Sequence, residues 1–200
     1  MFFWQKWWPP KYGYKMAHSN ILEIIAPYVY KEKVIELLGQ PHEADGNHAA
    51  YRFSNALLQV NYDGDFVESV ALVSLKMGWP NRFRVFPLSF VLGRSTFEDA
   101  CTPEENQEHI ELVSEGSTKF FSLVNEQYFG NPGRYFYYSF ALLDADTYPP
   151  VSMPKTQYRA KEEDQMQNGA TLLNSKTKFN AIGISLKKDD GLCFYFQMFN

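Results

Sequence analysis

Cysteine is nearly absent: Cys101 and Cys193 are the two thiols in 200 residues. That excludes a disulfide-stapled scaffold; two buried free thiols are expected, with a single disulfide as the alternative. No uninterrupted apolar stretch reaches the roughly 18 residues that cross a bilayer, so no transmembrane helix is expected. Positive charge is also short. The 19 Lys and Arg against 23 Asp and Glu leave a net charge of −4, the wrong sign for a generic binder of nucleic-acid backbones. The nucleotide and nucleophile signatures GxxxxGK[ST], GxSxG and GxGxxG do not occur. Aromatic residues, in contrast, are plentiful: 4 Trp, 13 Tyr and 17 Phe make up 17% of the chain. With 45% hydrophobic residues and a small net charge, the chain is not disordered; it has the composition of a folded domain with a substantial core.

Hydrophobic periodicity divides the chain into three parts. Residues 1–18 are expected to form an aromatic leader, either unpacked or lying in a membrane–water interface. Trp4, Trp7 and Trp8, with Lys6, Lys11 and Lys15, have the composition of such an interface. No signal peptide is visible, because Lys6 interrupts the aromatics and Pro9-Pro10 follows. The expected location is therefore the cytoplasm or the inner face of a membrane.

Residues 19–81 are expected to form a helix-plus-sheet module. Asn20 and Glu23 have the spacing of a capping box, Pro27 splits the helix in two, and the second piece runs about Lys31 to Leu38. Val34, Leu37 and Leu38 fall on one face, Gly39 occupies the C-terminal cap and Pro41 prevents resumption. Ala50–Asn61 is expected to be one strand with a turn or bulge at Ser54-Asn55. Asp63-Gly64-Asp65 is a tight-turn signal, and Phe66–Leu75 is a β-branched strand.

Residues 82–200 are expected to form a second, mainly antiparallel β module with a short helix. Ser95 and Glu98 have capping-box spacing at its start. Strands are expected at 109–114, 118–125, 135–143, 179–186 and 192–199, with a turn at Gly130-Asn131-Pro132-Gly133. A helix followed by runs of strands, twice over, gives an α+β fold: a helix and then an antiparallel sheet, with two such modules in tandem packed as one unit.

Residues Ile24 to Leu75 carry a specific likeness. The helix ending in Leu37-Leu38-Gly39, Pro41 after it and the hairpin around Asp63-Gly64 resemble the helix-plus-antiparallel-sheet module of BamE-type outer-membrane assembly lipoproteins. The β-lactamase inhibitor proteins use a similar module in tandem. The segments Leu92–Phe97 and Tyr128–Tyr135 resemble a family of uncharacterised bacterial proteins, which implies a bacterial origin.

Reactive constellations are sparse. His42 and His48 flank the loop Glu43-Ala44-Asp45-Gly46-Asn47, but their spacing of six is not that of a zinc helix, and no metal site or cofactor is expected. Cys101 and His109 have no local support as a nucleophile–base pair. The carboxylate pairs Glu98-Asp99, Glu104-Glu105, Glu162-Glu163-Asp164 and Asp189-Asp190 each suit a helix start, a solvated face or a turn. These gaps favour binding over catalysis. In the strand after Arg134, Tyr135 and Tyr137 share one side, while Phe136, Tyr138 and Phe140 share the other. The second set is more apolar and is expected to face the core. Arg134, Tyr135 and Tyr137 are thus the candidate partner-binding residues, because Tyr and Arg concentrate at interface hot spots.

The functional expectation is a non-catalytic protein-binding module of inhibitor or immunity type, its acidic charge suited to a basic protein partner. The alternatives are a membrane-associated accessory protein anchored through Trp4, Trp7 and Trp8, and an enzyme with a dispersed site. Nucleic acid is disfavoured as a partner, and no small-molecule substrate is evident.

Overall fold

A computed structural model describes residues 15–75, 82–100, 113–117, 120–145 and 178–188. Two short helices open the described chain: α1 (Ile21–Ile24) and α2 (Lys31–Leu38). A meander follows, of β1 (Glu43–Asp45), β2 (His48–Arg52), β3 (Ala56–Asp63) and β4 (Phe66–Ser74). A separate small hairpin, β5 (Phe83–Val85) and β6 (Phe90–Leu92), leads to the helical turn α3 (Phe97–Ala100). Then come β7 (Val113–Ser117), β8 (Phe120–Asn131), β9 (Arg134–Ala145) and β10 (Ala181–Ser185). The fold is α+β, and every strand pair among the described residues is antiparallel.

The eight longer-range strands form one continuous sheet in the order β1-β2-β3-β4-β10-β9-β8-β7. The late strand β10 lies between the two meanders, pairing with β4 (Ile182 opposite Leu72) and with β9 (Ile182 opposite Phe140). Asn180 fixes it there. Its side-chain Oδ1 accepts the Leu143 N–H at 2.8 Å, and its Nδ2 donates to the Leu143 carbonyl at 2.9 Å. Its own backbone bonds Ala141 on one side and Ser74 on the other. A side-chain amide thus continues the ladder where the strand ends.

Alternation along each strand separates two faces. One carries the main core: Tyr51, Leu58, Val60, Leu72, Phe140 and Ile182, joined by Ile21 and Leu22 of α1, Ile25 just after it and Val34 of α2. Phe179 links α3 to β9 through ring contacts of 5.8 Å with Phe97 and 5.0 Å with Phe140. Lys31 extends its ammonium over the Tyr62 ring at 4.9 Å, tying α2 to β3. The other face carries a smaller cluster that includes Ala50, Leu57, Ala71, Val73, Ala141 and Leu143. Strand β4, central in the sheet and buried on both faces, is therefore apolar almost throughout.

Several local expectations are corrected. Ala50–Asn61 is not one strand. It turns at residues 53–55, where Phe53 N–H bonds the Ala56 carbonyl at 2.8 Å, and becomes β2 and β3. Asn55 is buried at that turn and clamps Ala17, accepting its N–H at 2.7 Å and donating to its carbonyl at 3.2 Å. Ala17 is buried as well, so residues 15–17 belong to the folded body rather than to the leader. Asn20 does not cap α1, because its Oδ1 sits against His18 Nδ1 instead. In α2, Val34 is buried as expected, but Leu37 is 44% exposed. A helix of eight residues turns that position away from the sheet.

The capping box at α3 is shifted by one residue. Thr96 and Asp99 cap reciprocally, with Thr96 N–H on Asp99 Oδ2 at 2.7 Å and Asp99 N–H on Thr96 Oγ1 at 3.3 Å. Ser95 instead accepts the Val91 N–H. Among the described residues no helix is long and apolar enough to cross a membrane.

Candidate functional site

The β8–β9 hairpin places the residues singled out by the sequence. Asn131 pairs with Arg134, leaving Pro132-Gly133 as a two-residue turn. Pro presets its own φ, and Gly133 takes φ +83°, which suits glycine. Counting outwards from this turn, Tyr135 faces Gly130, Phe136 faces Phe129 and Tyr137 faces Tyr128. Phe136, Tyr138 and Phe140 enter the main core. Tyr135 and Tyr137 emerge on the opposite face, with Tyr128 between them.

The three rings form a compact triad. Tyr128 lies 5.5 Å from Tyr135 and 4.6 Å from Tyr137, centroid to centroid. Gly130 opposite Tyr135 offers no side chain, so the Tyr128 ring crosses diagonally into that space. Tyr128 is 57% exposed and Tyr135 46%, while Tyr137 is half-buried beneath them. The sequence reading missed Tyr128. The signal was present: the Pro-Gly turn, counted outwards, pairs it with Tyr137. Arg134 begins β9 beside Tyr135. Trp4, Trp7 and Trp8 lie outside the described residues.

The tips of the β1–β2, β3–β4 and β8–β9 hairpins lie at the same end of the sheet, as the registers require. Other exposed aromatics gather there. Tyr30 and Phe66 pack at 4.4 Å, and Tyr28 lies 6.2 Å from Phe136. On the core face of this end is a cavity of about 390 Å³. Leu22, Ala26, Pro27 and Val29 form one wall, and Phe86-Pro87 of the β5–β6 loop another. The sheet contributes Phe136, Tyr138 and Ile184, with Asn131 at the turn; Glu23 and Tyr28 complete the lining.

The two loop histidines are brought to different tasks. His42 Nδ1 accepts the Arg52 N–H at 3.1 Å, and the Arg52 guanidinium pairs with the Glu43 carboxylate. Burial, and then the Arg52 charge, lower the His42 pKa from the usual 6.5. His48 Nδ1 donates to Asn61 Oδ1 at 2.7 Å. Asn61 also accepts from Gln59 at 3.0 Å and donates to the Ser69 hydroxyl at 2.8 Å. Among the described residues no three His, Cys, Asp or Glu side chains converge as metal ligands would. Asp99 is engaged in its cap, while Cys101, His109, Cys193, Glu104-Glu105, Glu162-Glu163-Asp164 and Asp189-Asp190 lie outside the described residues.

No protein-family model and no curated protein sequence matches the chain. Solved structures similar to it include an extracellular protein containing an SCP domain from Bacillus anthracis, at 9% identity and TM-score 0.39 over 89% of this chain and 49% of that one. A cysteine-rich secretory protein from Staphylococcus aureus is similar at 11% identity and TM-score 0.39, over 88% of this chain and 50% of that one. The chain spans about half the length of each.

Proposed function

We propose that this chain is a non-catalytic protein-binding module that engages its partner through Tyr128, Tyr135 and Tyr137. The carrying observation is the triad itself: Tyr128 packs against both Tyr135 and Tyr137 on one hairpin, and Tyr128 and Tyr135 are about half exposed. Tyrosine offers a large contact area with a polar tip, and mutual stacking limits the entropy lost on binding. Arg134 precedes Tyr135 in the chain and is the cation offered with it, and the net charge of −4 suits a basic partner. An inhibitor or immunity-type role of bacterial origin suits that chemistry.

The strand order supports two helix-plus-sheet modules in tandem. From one edge inwards it runs β1, β2, β3, β4, and from the other β7, β8, β9, β10, in chain order each time. Two copies of one meander, joined through their last strands, give that pattern.

The test is affinity capture from a bacterial lysate with the wild-type chain and a Tyr128→Ala/Tyr135→Ala variant of unchanged circular dichroism. The expected result is one stoichiometric protein on the wild type, released by salt, with affinity reduced at least about 30-fold in the variant, the scale of a hot-spot loss. Equal capture by both forms, or no partner on either, overturns the reading.

A further inference from the structure

We propose that the aromatic leader, residues 1–14, is the occupant of the cavity at the hairpin end of the sheet, with an indole of Trp4, Trp7 or Trp8 seated against Leu22, Pro27, Phe136 and Ile184. The cavity lies on the core face of β9, and strand alternation puts Tyr135 and Tyr137 on the other face. Partner binding by the triad and docking of the leader therefore stand or fall independently.

The mouth of the cavity is built from exposed apolar side chains. Tyr28 and Phe86 line it and are 60% and 54% exposed. Ile24, also exposed, lies between the lining residues Glu23 and Ala26, and the exposed Tyr30 packs on Phe66 two residues beyond Tyr28. Tyr28 is fixed in place. Its N–H bonds the Val67 carbonyl at 2.9 Å, Val67 N–H bonds the Val29 carbonyl at 2.8 Å, and its φ is +73°. Exposed apolar side chains gathered around a concave apolar site mark a surface that something covers.

The leader matches this surface in chemistry and in charge. Phe2, Phe3, Trp4, Trp7 and Trp8 fall within its first eight residues. An apolar cavity of about 150 Å³ takes a benzene ring, so one of about 390 Å³ has room for an indole. Residues 1–15 carry Lys6, Lys11 and Lys15 and no acid, whereas the rest of the chain holds 16 Lys and Arg against 23 Asp and Glu, a net −7. Among the described residues lining the cavity, the single charged group is the exposed Glu23 carboxylate. Lys6, between Trp4 and Trp7, supplies its counter-charge.

Reach is sufficient within one chain. Lys15 is held at the far end of the sheet, where its carbonyl accepts the Ser54 N–H at 3.1 Å. Tyr28 is held near the other end, on Val67, which pairs with Tyr62. Positions 54 to 62 span at most about 26 Å along the strand direction. Extended backbone carries Trp7 about 26 Å from Lys15 and Trp4 about 36 Å. A tether of this length gives an effective concentration in the millimolar range, so a contact with a Kd of about 0.1 mM keeps the site about nine-tenths filled.

The experiment uses the full chain. Nuclear Overhauser contacts are expected between a leader indole and the methyl groups of Leu22 or Ile184, the indoles being assigned with Trp4→Phe, Trp7→Phe and Trp8→Phe. Tryptic cleavage after Lys11 is expected to be at least about tenfold slower than in Trp4→Ser/Trp7→Ser/Trp8→Ser, because cleavage follows the undocked fraction. Glu23→Gln is expected to speed cleavage about threefold, the scale of one exposed ion pair. Both variants are checked for wild-type circular dichroism, and the wild-type rate is expected to be the same at low and high protein concentration. Four results overturn the proposal: no such indole contact, a cleavage rate unmoved by either set of substitutions, protection lost on dilution, which assigns the cavity to a second copy's leader, or protection that appears only with phosphatidylglycerol vesicles, which assigns the leader to a membrane surface.

Discussion

Tyr138 illustrates how one buried atom bears on stability. Its hydroxyl has no hydrogen-bond partner among the described residues, so Tyr138→Phe is expected to raise unfolding stability by about 1 kcal/mol in a urea titration, while a hydroxyl engaged by a partner would make the substitution lower it. His42 supplies a pH handle. Its folded pKa is lowered, first by burial and then by Arg52, so the unfolded chain binds the proton more readily. Stability from this group is complete above about pH 6.5, where folded and unfolded forms are both neutral, and declines as pH falls through 6.5 towards the lowered folded value. Protonation also removes the lone pair that accepts the Arg52 N–H. The slope of urea midpoint against pH between 7.5 and 5 is therefore expected to flatten in His42→Gln; an unchanged slope would show that His42 is not responsible.

The β8–β9 hairpin is the element on which the proposed tyrosine surface depends. Its turn fixes the register, and the register fixes which aromatic faces which way. Gly133 sits at φ +83° with nothing within 4 Å of the place a Cβ would occupy. Gly133→Ala is thus a test of backbone conformation without steric clash. It is expected to cost about 1 kcal/mol of stability, with Gly133→Asn intermediate, by thermal unfolding. Alternation within this element was legible in the sequence, since Tyr135 and Phe136 are adjacent and differ in kind. Tyr128 was not singled out, because its role arises only when the second strand is laid against the first. The Thr96–Asp99 cap was displaced by one residue from the Ser95–Glu98 spacing for a related reason. Ser95 is engaged by the Val91 N–H of the preceding hairpin, a contact outside the local motif.

At the scale of the molecule, β10 is the strand that makes one sheet from two meanders. It bonds β4 from the first half and β9 from the second, and Asn180 is buried at its start. Asn180→Ala would leave the Leu143 N–H and carbonyl without their side-chain partner in a fully buried position. The expected loss is about 2 kcal/mol. Because the sheet is continuous, native-state hydrogen exchange should show protection falling together in β3, β4 and β9. Loss confined to β9 and β10 would mean that the halves open as separate units.

Composition and periodicity were enough to settle the α+β class, the antiparallel sheet, the break at Pro27, the end of α2 at Gly39 and the turns at Gly64 and Gly133. Each of these follows from a local rule: proline lacks an N–H, glycine takes positive φ, and alternate strand residues face opposite ways. Folding alone decided that β10 enters between β4 and β9, that Asn55 and Asn180 serve as buried clamps, that Leu37 faces outwards and that separate segments line one cavity on the core face of the sheet. Those outcomes depend on contacts between residues far apart in the chain, for which no short stretch of sequence carries a periodic signal.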